Sequence, residues 1–521
     1  MAISKRNQNI LLTAMIFAVS MTTIDQTIVA LSADTIQKDL DISHTAITWS
    51  INAYILATAA FFLLGGKIAD VFGHKRIVIT GIIGFAIFSL LNSVTPSGDI
   101  AAPWLITSRT LQGASTALMF PAALGIVLSQ FSQSSRGKAV ATFFAITGAM
   151  TALGPILGGY LTDWTWRAIF WINIPIAVAA LALIARQRFS ETKTAEPIDW
   201  KGGVLIAGSM ALIITGLQQA GMWGWDSHAV WVFIGIGVVL LAAFIQHEAS
   251  GLKYPLLRIN AFRERGFSLS AFAVLLSSTV FVPLFFFISV YSQISLGLSV
   301  TSSALPLLEF FIGFMIASRI GGGIFDARGA KIPLIVGGAA GAAGFIWWAS
   351  KLTQLNDGGA FLSSPQFWPT VIAGAGIGFM FSAAATDIAN RSPRSAYGEA
   401  TAISQTAKNF GGALGLAVLA TVLATNLTSN LDSAFMNIGA SKADAEMVTN
   451  NISSGTSIPA ESKQFAELPK QIQVELKEAV QESYAKANQP VFYGMSAAMA
   501  IVFLIGLAYP KERQKAILQQ E

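Results

Sequence analysis

Fourteen long apolar segments follow one another along the 521-residue chain, and this pattern constrains its fold more than any other feature. Each segment is long enough to cross the hydrocarbon core of a bilayer as a helix. A backbone inside lipid must satisfy its own hydrogen bonds, which favours helices for segments of this length. We therefore predict an all-α integral membrane protein with spans at about 10–31, 47–66, 77–94, 102–130, 139–161, 168–185, 202–220, 229–246, 267–290, 302–325, 332–350, 367–386, 399–425 and 491–510.

Charged residues are scarce and unevenly placed. They make up 12% of the chain, against about a quarter in soluble domains. Lys and Arg concentrate in alternate loops, and the positive-inside rule then places both termini in the cytoplasm. The net charge of +5 therefore reflects topology and does not predict nucleic-acid binding. The absence of cysteine excludes disulfides, thiol catalysis and cysteine-bound metal.

The first apolar stretch follows a basic N-terminus but does not have the features of a removed signal peptide. It contains Asp25 and lacks a clear small-residue cleavage site. We interpret it as a retained first span of a multi-pass plasma-membrane protein, which we expect to be bacterial and monomeric.

One loop sequence occurs twice, as "GGKIADVFGHKR" at 65–76 and as "GGGIFDARGAK" at 321–331. Eight predicted spans separate the copies, whereas two consecutive six-helix halves would separate them by six. Two inserted helices at 202–220 and 229–246 account for the difference, and duplicated halves are typical of secondary transporters. We predict a first six-helix bundle at 1–190, a linker with two inserted helices at 191–255, and a second bundle at 256–521.

The only long hydrophilic segment is an external loop predicted at 426–490, before the last span. Apolar residues recur there every four positions, which indicates amphipathic helix. We expect a small helical cap that includes Leu427, Leu431, Leu468, Ile472, Leu476, Val480 and Tyr484.

Asp25, Arg109, Glu309 and Lys408 lie inside predicted spans, where an unpaired charge is costly and indicates function. Asp25 is flanked by Thr and Gln residues, which suggests a wet interior face. Arg109 lies about seven residues into its span and must face the bundle interior. Glu309 is surrounded by phenylalanines, which favour a protonated carboxyl. Lys408 either pairs with an interior acid or extends to the membrane edge.

Several motifs together resemble those of the major facilitator superfamily. Besides the repeated loop, "LITSRTLQG" (105–113) and "GAMTALGPILGGYL" (148–161) are similar to its fourth- and fifth-helix motifs. "IDQTIVALS" (24–32), "WRAIFWINIP" (166–175) and "PLLRINAFRERGF" (255–267) are similar to sequences of its fourteen-helix drug:proton antiporter subfamily. The resemblance covers about residues 10–425. Within the subfamily, the chain resembles bacterial multidrug and quaternary-ammonium exporters.

The resemblance implies a role for each motif residue. Asp25 and Arg109 would couple transport to protons. The fifth-helix residues Gly154, Pro155, Gly158 and Gly159 would allow close packing and bending, and mark exporters. The loop residues Gly66, Asp70, Gly73, Lys75 and Asp326 would gate the conformational change, with Asp70 locking an outward-facing state. A carboxylate in such a loop is suited either to the positive N-terminal end of a neighbouring helix or to a nearby arginine.

The expected partners are small hydrophobic or cationic substrates, protons and the lipid bilayer. We expect no cofactor other than the proton gradient, no metal site and no enzymatic activity. Candidate substrate-binding residues are acids and aromatics within spans, namely Asp25, Tyr54, Phe143, Phe281, Tyr291 and Glu309.

Two alternatives to a proton-coupled drug exporter remain open. The chain could export one specific native metabolite or lipid, with drug resistance incidental. It could also be a membrane sensor that has kept the fold without transport. The intramembrane charges and the exporter motif disfavour the sensor.

Overall fold

The computed structural model describes residues 5–187, 191, 196–298, 302–355, 364–437 and 470–510, which form helices and loops with no strand among them. Thirteen helices of this described part are long and apolar enough to span a membrane, and a bent pair raises the number to fourteen. The predicted all-α membrane fold is therefore confirmed. The proposed domain boundaries at 190 and 255 remain predictions.

The helices follow one another in up-and-down order. Those of the first half and the insertion are α1 Lys5–Leu31, α2 Ala33–Leu40, α3 His44–Phe72, α4 His74–Ser93, α5 Ala101–Gln130, α6 Gln133–Trp164, α7 Ala168–Trp171, α8 Asn173–Ala185, α9 Trp200–Trp223 and α10 His228–Ala249. Those of the second half are α11 Arg265–Ile294, α12 Leu305–Arg328, α13 Lys331–Lys351, α14 Phe367–Asn390, α15 Tyr397–Asn437 and α16 Lys470–Ala508. Short 3-10 turns occupy Ile259–Arg263, Ser302–Ala304 and Arg394–Ala396.

The same helix pairs pack together in both halves. α3 packs on α5 as α12 packs on α14, and α1 packs on α6 as α11 packs on α15. The repeated loops join equivalent helices, α3 to α4 and α12 to α13. Each loop turns at a glycine with positive φ, 98° at Gly73 and 77° at Gly329, a conformation in which a Cβ would be strained. We call this end of the bundle the motif end and the opposite end the far end.

The inserted helices α9 and α10 pack against each other, and α9 also contacts α3 and α15. The pair is fastened at the motif end by Asp199, whose carboxylate caps α9 through the Gly202 N–H at 3.0 Å and contacts His247 Nε2 of α10 at 2.9 Å. The insertion therefore lies against helices of both halves rather than beside one of them.

Helix α6 is bent where glycine and proline interrupt it. Its segments Ser134–Thr151 and Ile156–Trp164 make an angle of 44°. Pro155 stands between them, and a proline inside a helix removes one backbone hydrogen bond and produces such a kink. The fifth-helix motif therefore coincides with the bend.

The described parts of segment 426–490 are helical extensions of transmembrane helices. α15 continues to Asn437 and α16 begins at Lys470. Leu427, Leu431, Val480 and Tyr484 are buried, as their periodic spacing suggests. The Asn430 side chain donates to the Ser483 carbonyl, which joins the two extensions. Leu468 lies outside the described residues, as do the side chains of Ile472 and Leu476.

Close helix packing yields a first prediction at Gly313, on α12. A Cβ at this position would overlap the Val371 carbonyl of α14, so Gly313→Ala must push the helices apart at a cost of about 1–3 kcal/mol. We expect a lower midpoint of thermal unfolding in detergent. Gly235→Ala on α10 is the matched control, because a Cβ there meets nothing within 4 Å. Equal unfolding midpoints for the two variants would contradict the packing.

Candidate functional site

Asp25 and Arg109 form a buried ion pair inside the first half. Their exposed fractions are 0% and 1%, and a guanidinium nitrogen of Arg109 donates to Asp25 Oδ2. The same nitrogen donates to Gln112 Oε1 at 2.7 Å, and Gln112 Nε2 donates to Asp25 Oδ1 at 3.1 Å. A charge at membrane depth requires such compensation. The structure therefore brings together the two residues to which the sequence assigned proton coupling.

Amide side chains extend this ion pair into a network that the sequence analysis missed. Asn92 Nδ2 donates to Gln112 Oε1 at 2.8 Å, and Asn173 Nδ2 lies 3.4 Å from Asp25 Oδ1. Asn173 also donates to Ser89 Oγ at 2.9 Å. The available signal was an asparagine near or inside an otherwise apolar span, on α4 and α8. The network connects α1, α4, α5 and α8 without access to bulk solvent.

Tyr54 closes the network on another side. Its side chain is fully buried, and its ring centroid lies 4.4 Å from the guanidinium carbon of Arg109. The hydroxyl is hydrogen-bonded to Thr116 Oγ1 at 3.0 Å. A cation over an aromatic face is stabilised, more so when desolvated. In this conformation Tyr54 packs against the ion pair.

The geometry of the pair makes its protonation consequential. Protonating Asp25 would leave Arg109 as an uncompensated buried cation, and breaking such a pair costs about 3–5 kcal/mol. Two neighbouring polar atoms, Arg109 Nε and Asn173 Oδ1, lack hydrogen-bond partners within the part of the chain described. The network thus holds a buried charge pair together with polar atoms that could accept new partners.

Asp70 joins the first half to the second half at the motif end. Its carboxylate is 1% exposed and accepts hydrogen bonds from the N–H groups of Gly398 and Glu399, at 2.8 and 2.9 Å. These amides begin α15, so the acid lies at the positive end of that helix. Gly66 of α3 lies against the Gly398 carbonyl, where a side chain would not fit.

Asp326 makes the reciprocal contact from the second half. Its carboxylate accepts from the N–H groups of Gly137 and Lys138 in the first turns of α6, at 2.7 and 3.1 Å. Arg136 and Asn390 add a hydrogen bond of 2.6 Å between the halves. The two copies of the loop therefore hold the motif end closed through backbone amides of the opposite half.

Charged residues beside the insertion surround the Asp70 contact. Glu399 accepts from the Arg258 N–H at 2.8 Å, and the Arg258 guanidinium lies 3.7 Å from its carboxylate. Arg258 also lies 3.9 Å from Glu196, which pairs with Lys67 of α3 at 2.6 Å. Glu196 precedes α9 and Arg258 follows α10. The sequence analysis missed this cluster, because its members are distant along the chain.

Lys75 stabilises the first loop locally. Its Nζ donates to the Gln187 carbonyl at 2.6 Å, and its backbone N–H donates to Glu191 Oε1 at 2.5 Å. These contacts tie the start of α4 to the segment that leaves α8. Both contacts lie within the first half and the segment that follows it, whereas those of Asp70 reach the second half.

Phe281 is the centre of an aromatic cluster in the second half. Its ring lies 5.6 Å from Phe314 and 5.7 Å from Phe381. Phe381 in turn contacts Phe144 of α6 at 5.6 Å, and Phe143 lies 5.5 Å from Phe144. Two predicted substrate-binding residues, Phe143 and Phe281, thus belong to one continuous row of rings across the halves.

Glu309 and Lys408 lie beside these rings without an opposite charge. Glu309 is 5% exposed and makes no hydrogen bond or ion pair with a described residue; it precedes Phe310, whose ring is 6.2 Å from Phe281. Lys408 Nζ lies 5.9 Å from the Phe281 ring centroid. Among the described residues it has no acidic partner, so the structure matches neither sequence alternative for this lysine.

The remaining predicted residues lie elsewhere. The Tyr291 hydroxyl donates to the Leu352 carbonyl at 2.7 Å, near the far end and away from the aromatic row. Gly154 lies against Thr27 of α1, and Gly158 is buried while Gly159 is half-buried. The side chain of Pro155 lies outside the described part. Within that part no three His, Asp or Glu side chains are placed to hold a metal.

Known proteins resemble the chain over most of its length. The tetracenomycin C resistance and export protein of Streptomyces glaucescens is 32% identical over 78% of this chain and 74% of its own. Multidrug resistance protein 3 of Bacillus subtilis is 29% identical over 82% of each chain. The solved structure of the proton:xylose symporter XylE covers 99% of this chain and 100% of its own, with a TM-score of 0.59 at 11% identity, which shows a common fold.

A family model supplies the assignment. The model of the Major Facilitator Superfamily matches residues 10–416, which include both loop copies, the buried ion pair and the bent α6. The chain therefore belongs to the Major Facilitator Superfamily and is a multi-pass membrane transporter, not an enzyme.

Proposed function

We propose that the chain is a proton-coupled exporter of hydrophobic or cationic compounds in a bacterial plasma membrane, working by alternating access. The observation that carries the proposal is the buried Asp25–Arg109 pair, in a chain whose relatives include export and resistance proteins. In this proposal the motif end and both termini are cytoplasmic. The positive-inside distribution of Lys and Arg supports that orientation.

The proposed cycle begins from the conformation described here. The Asp70 and Asp326 contacts hold the cytoplasmic ends of the two halves together, so this state faces outward. Opening to the cytoplasm requires both carboxylates to leave the helix N-termini that they cap. The bend of α6 lies between the motif end and the far end, and offers a place where that helix can change its angle.

Proton coupling would act through the Asp25–Arg109 pair. The pair is neutral when Asp25 is ionised, and protonation leaves one buried positive charge. The penalty of about 3–5 kcal/mol for breaking such a pair approaches the roughly 5.5 kcal/mol that turns a 1:99 equilibrium into 99:1. A penalty of that size stays below this value but is worth about a hundredfold or more in an equilibrium constant, which supports a change of conformation on proton binding.

Substrate binding would involve Glu309 and the aromatic row. A lipophilic cation gains from ring faces and from an acid that has no competing partner in the described part. Lys408 Nζ lies 5.9 Å from the Phe281 ring centroid and opposes a second positive charge. We infer that the site accepts monovalent cations and neutral apolar molecules better than dications.

Export of one native compound is the second candidate. It is favoured by the relative whose name states resistance to and export of tetracenomycin C. Both candidates share the fold and the coupling network. A toxicity panel of unrelated compounds, in a host without its own pumps, separates them: protection against many structures supports a multidrug exporter, and protection against one supports the alternative.

We predict that Asp25→Asn lowers efflux driven by a pH gradient in membrane vesicles at least tenfold, because the amide cannot exchange a proton with the network. Wild-type efflux should stop with an uncoupler. Asp99→Asn, at an exposed position of the far end, is the matched control and should transport normally.

The same variant needs a control for folding, since it leaves Arg109 without its counter-charge. Asp25→Asn combined with Arg109→Gln restores neutrality and should recover thermal stability but not transport. Near-normal efflux by either variant would remove the pair from the mechanism.

We predict that Asp70→Asn opens the motif end. The amide offers one acceptor where the carboxylate offers two, and the attraction to the α15 N-terminus is lost. Spin labels at Arg76→Cys and Arg328→Cys, exposed residues of opposite halves, should report a shift to longer distances. The chain has no native cysteine that would interfere. Asp41→Asn at the far end is the control, and an unchanged distance distribution for Asp70→Asn would contradict the lock.

We predict that Glu309→Gln reduces efflux of a cationic dye several-fold more than efflux of a neutral dye of matched size. The glutamine keeps the shape and polarity of the side chain but removes its charge, which matters only to a cation. Transport of each dye is measured in vesicles with equal amounts of protein. Equal loss of both dyes would indicate a proton carrier, and equal retention would return Glu309 to a structural role.

A further inference from the structure

An apolar groove runs along the flank of the bundle, between the inserted helices and the second half. Its volume is about 480 Å³. All three parts of the chain contribute to its lining: Leu63 of α3, Met210 of α9, Leu241 of α10, Leu275 of α11 and Phe410 of α15. Apart from Ser268 and Thr406, the lining side chains are apolar.

The groove is open to the surroundings of the protein. Phe272 is 48% exposed and Phe262 is 38% exposed, and both line it. Phe262 is held at the mouth by the Ser268 hydroxyl, which donates to its carbonyl, and by the edge of the Phe267 ring at 5.0 Å. Phe262 lies in the turn before α11, and Phe272 lies on α11, which is long and apolar enough to span a membrane. The side of the groove that exposes Phe272 therefore faces lipid.

The depth of the groove corresponds to one leaflet. From the motif end, its lining extends about ten residues into α9 and α11, to Met210 and Leu275. At a rise of 1.5 Å per residue this is about 15 Å, half of the ~30 Å hydrocarbon core. Trp200 at the start of α9 is 61% exposed, as expected of an aromatic at the membrane interface.

Apolar filling alone does not select an occupant in a membrane, because an acyl chain is as well solvated by lipid as by leucine. Selection must come from the polar mouth. Arg263 and Arg265 are exposed beside it along the chain and form no ion pair within the described residues. They lie near the lining residues in sequence: Arg263 follows Phe262, and Arg265 precedes Ser268 by three positions.

The acids at the same end are already engaged. Glu264 pairs with Arg391, Asp199 contacts His247, and Glu248 accepts from the Leu257 N–H at 3.2 Å. Glu264, which lies between Arg263 and Arg265, pairs with Arg391, so the two arginines keep an exposed positive charge at this edge, which attracts an anion. Basic residues near a membrane surface attract anionic lipids.

We propose that this groove binds an anionic phospholipid of the leaflet at the motif end. One acyl chain lies along α11 and α15, and the phosphate contacts the cations of the mouth. The lipid favours the closed motif end, because Leu63 lies seven residues before Asp70 on α3 and the opposite wall lies on α15. This effect on the cycle rests on the proposed alternating access; the binding itself does not.

The test uses the full-length protein in nanodiscs of phosphatidylcholine with one-fifth phosphatidylglycerol, followed by native mass spectrometry. We expect phosphatidylglycerol to be retained, and retained several-fold less by Arg263→Gln with Arg265→Gln. Arg76→Gln with Arg186→Gln is the matched control, since both cations are exposed at the motif end of the first half. Equal retention of the two lipids, or equal loss in both double variants, would overturn the proposal.

A second measurement locates the acyl chain. Phosphatidylglycerol with a photoreactive acyl chain should label peptides of α11 and α15, and Leu275→Trp should abolish that labelling by filling the groove. Ile316→Trp is the control, because Ile316 is 60% exposed on α12 outside the groove. Labelling that survives Leu275→Trp, or that a transported dye displaces, would refute a lipid site.

Both experiments are repeated in Asp25→Asn, which is expected to be inactive in transport. Unchanged lipid retention in that variant shows that binding does not depend on the coupling network. If active wild-type protein retains no lipid, the groove proposal fails and the exporter proposal stands. If lipid is retained but Asp25→Asn transports normally, the groove proposal stands and the proposed proton coupling through Asp25 fails.

Discussion

A charge inside a bilayer needs a compensating group within the protein. The helices of this chain provide such groups in two ways. In the first half the compensation is another charge, Arg109 for Asp25, with amides around the pair. At the motif end it is the backbone, because Asp70 and Asp326 are neutralised by the N-termini of α15 and α6. The first arrangement lies within one half, whereas the second joins the two halves.

Much of the architecture follows from the sequence because the membrane leaves few options. Apolar segments of this length can only be helices, and a loop written twice implies equivalent positions in two halves. The intramembrane charges Asp25 and Arg109 were recognisable individually, since an ionisable group inside a span is costly and is seldom kept without a function. For the loop aspartate the sequence left two partners open, a helix N-terminus and an arginine, and the structure has the first.

The partners of these groups could not be derived in the same way. Arg109 lies 84 positions from Asp25, and pairing over such a distance depends on how helices pack. Asn92 and Asn173 were overlooked because a neutral amide is only weakly distinctive in an apolar span. Lys408 lies against a ring instead of an acid or the membrane edge, a contact decided by tertiary packing. The lipid groove has no sequence motif, because three separate parts of the chain build it.

The insertion is more than a spacer between the halves. Glu196 and Arg258 lie just outside α9 and α10, and together they connect Lys67 to Glu399 beside the Asp70 contact. The segments before α9 and after α10 therefore contact the residues around Asp70, and α9 itself packs against α3 and α15. In a fourteen-helix chain, movement of the halves must displace the inserted pair or strain this cluster.

Asp70 and Asp326 make equivalent contacts in opposite directions, and we call these contacts the two locks. Their reciprocity has a consequence for the timing of the proposed cycle. Both locks connect the same two bodies at the same end, so stiff halves cannot release one while the other stays intact. Opening becomes one cooperative event whose barrier contains both contacts, and a half-open state is short-lived. Because the donors are backbone amides, this synchrony tolerates changes in the side chains around them. The duplication of the loop therefore makes the transporter switch as a single unit.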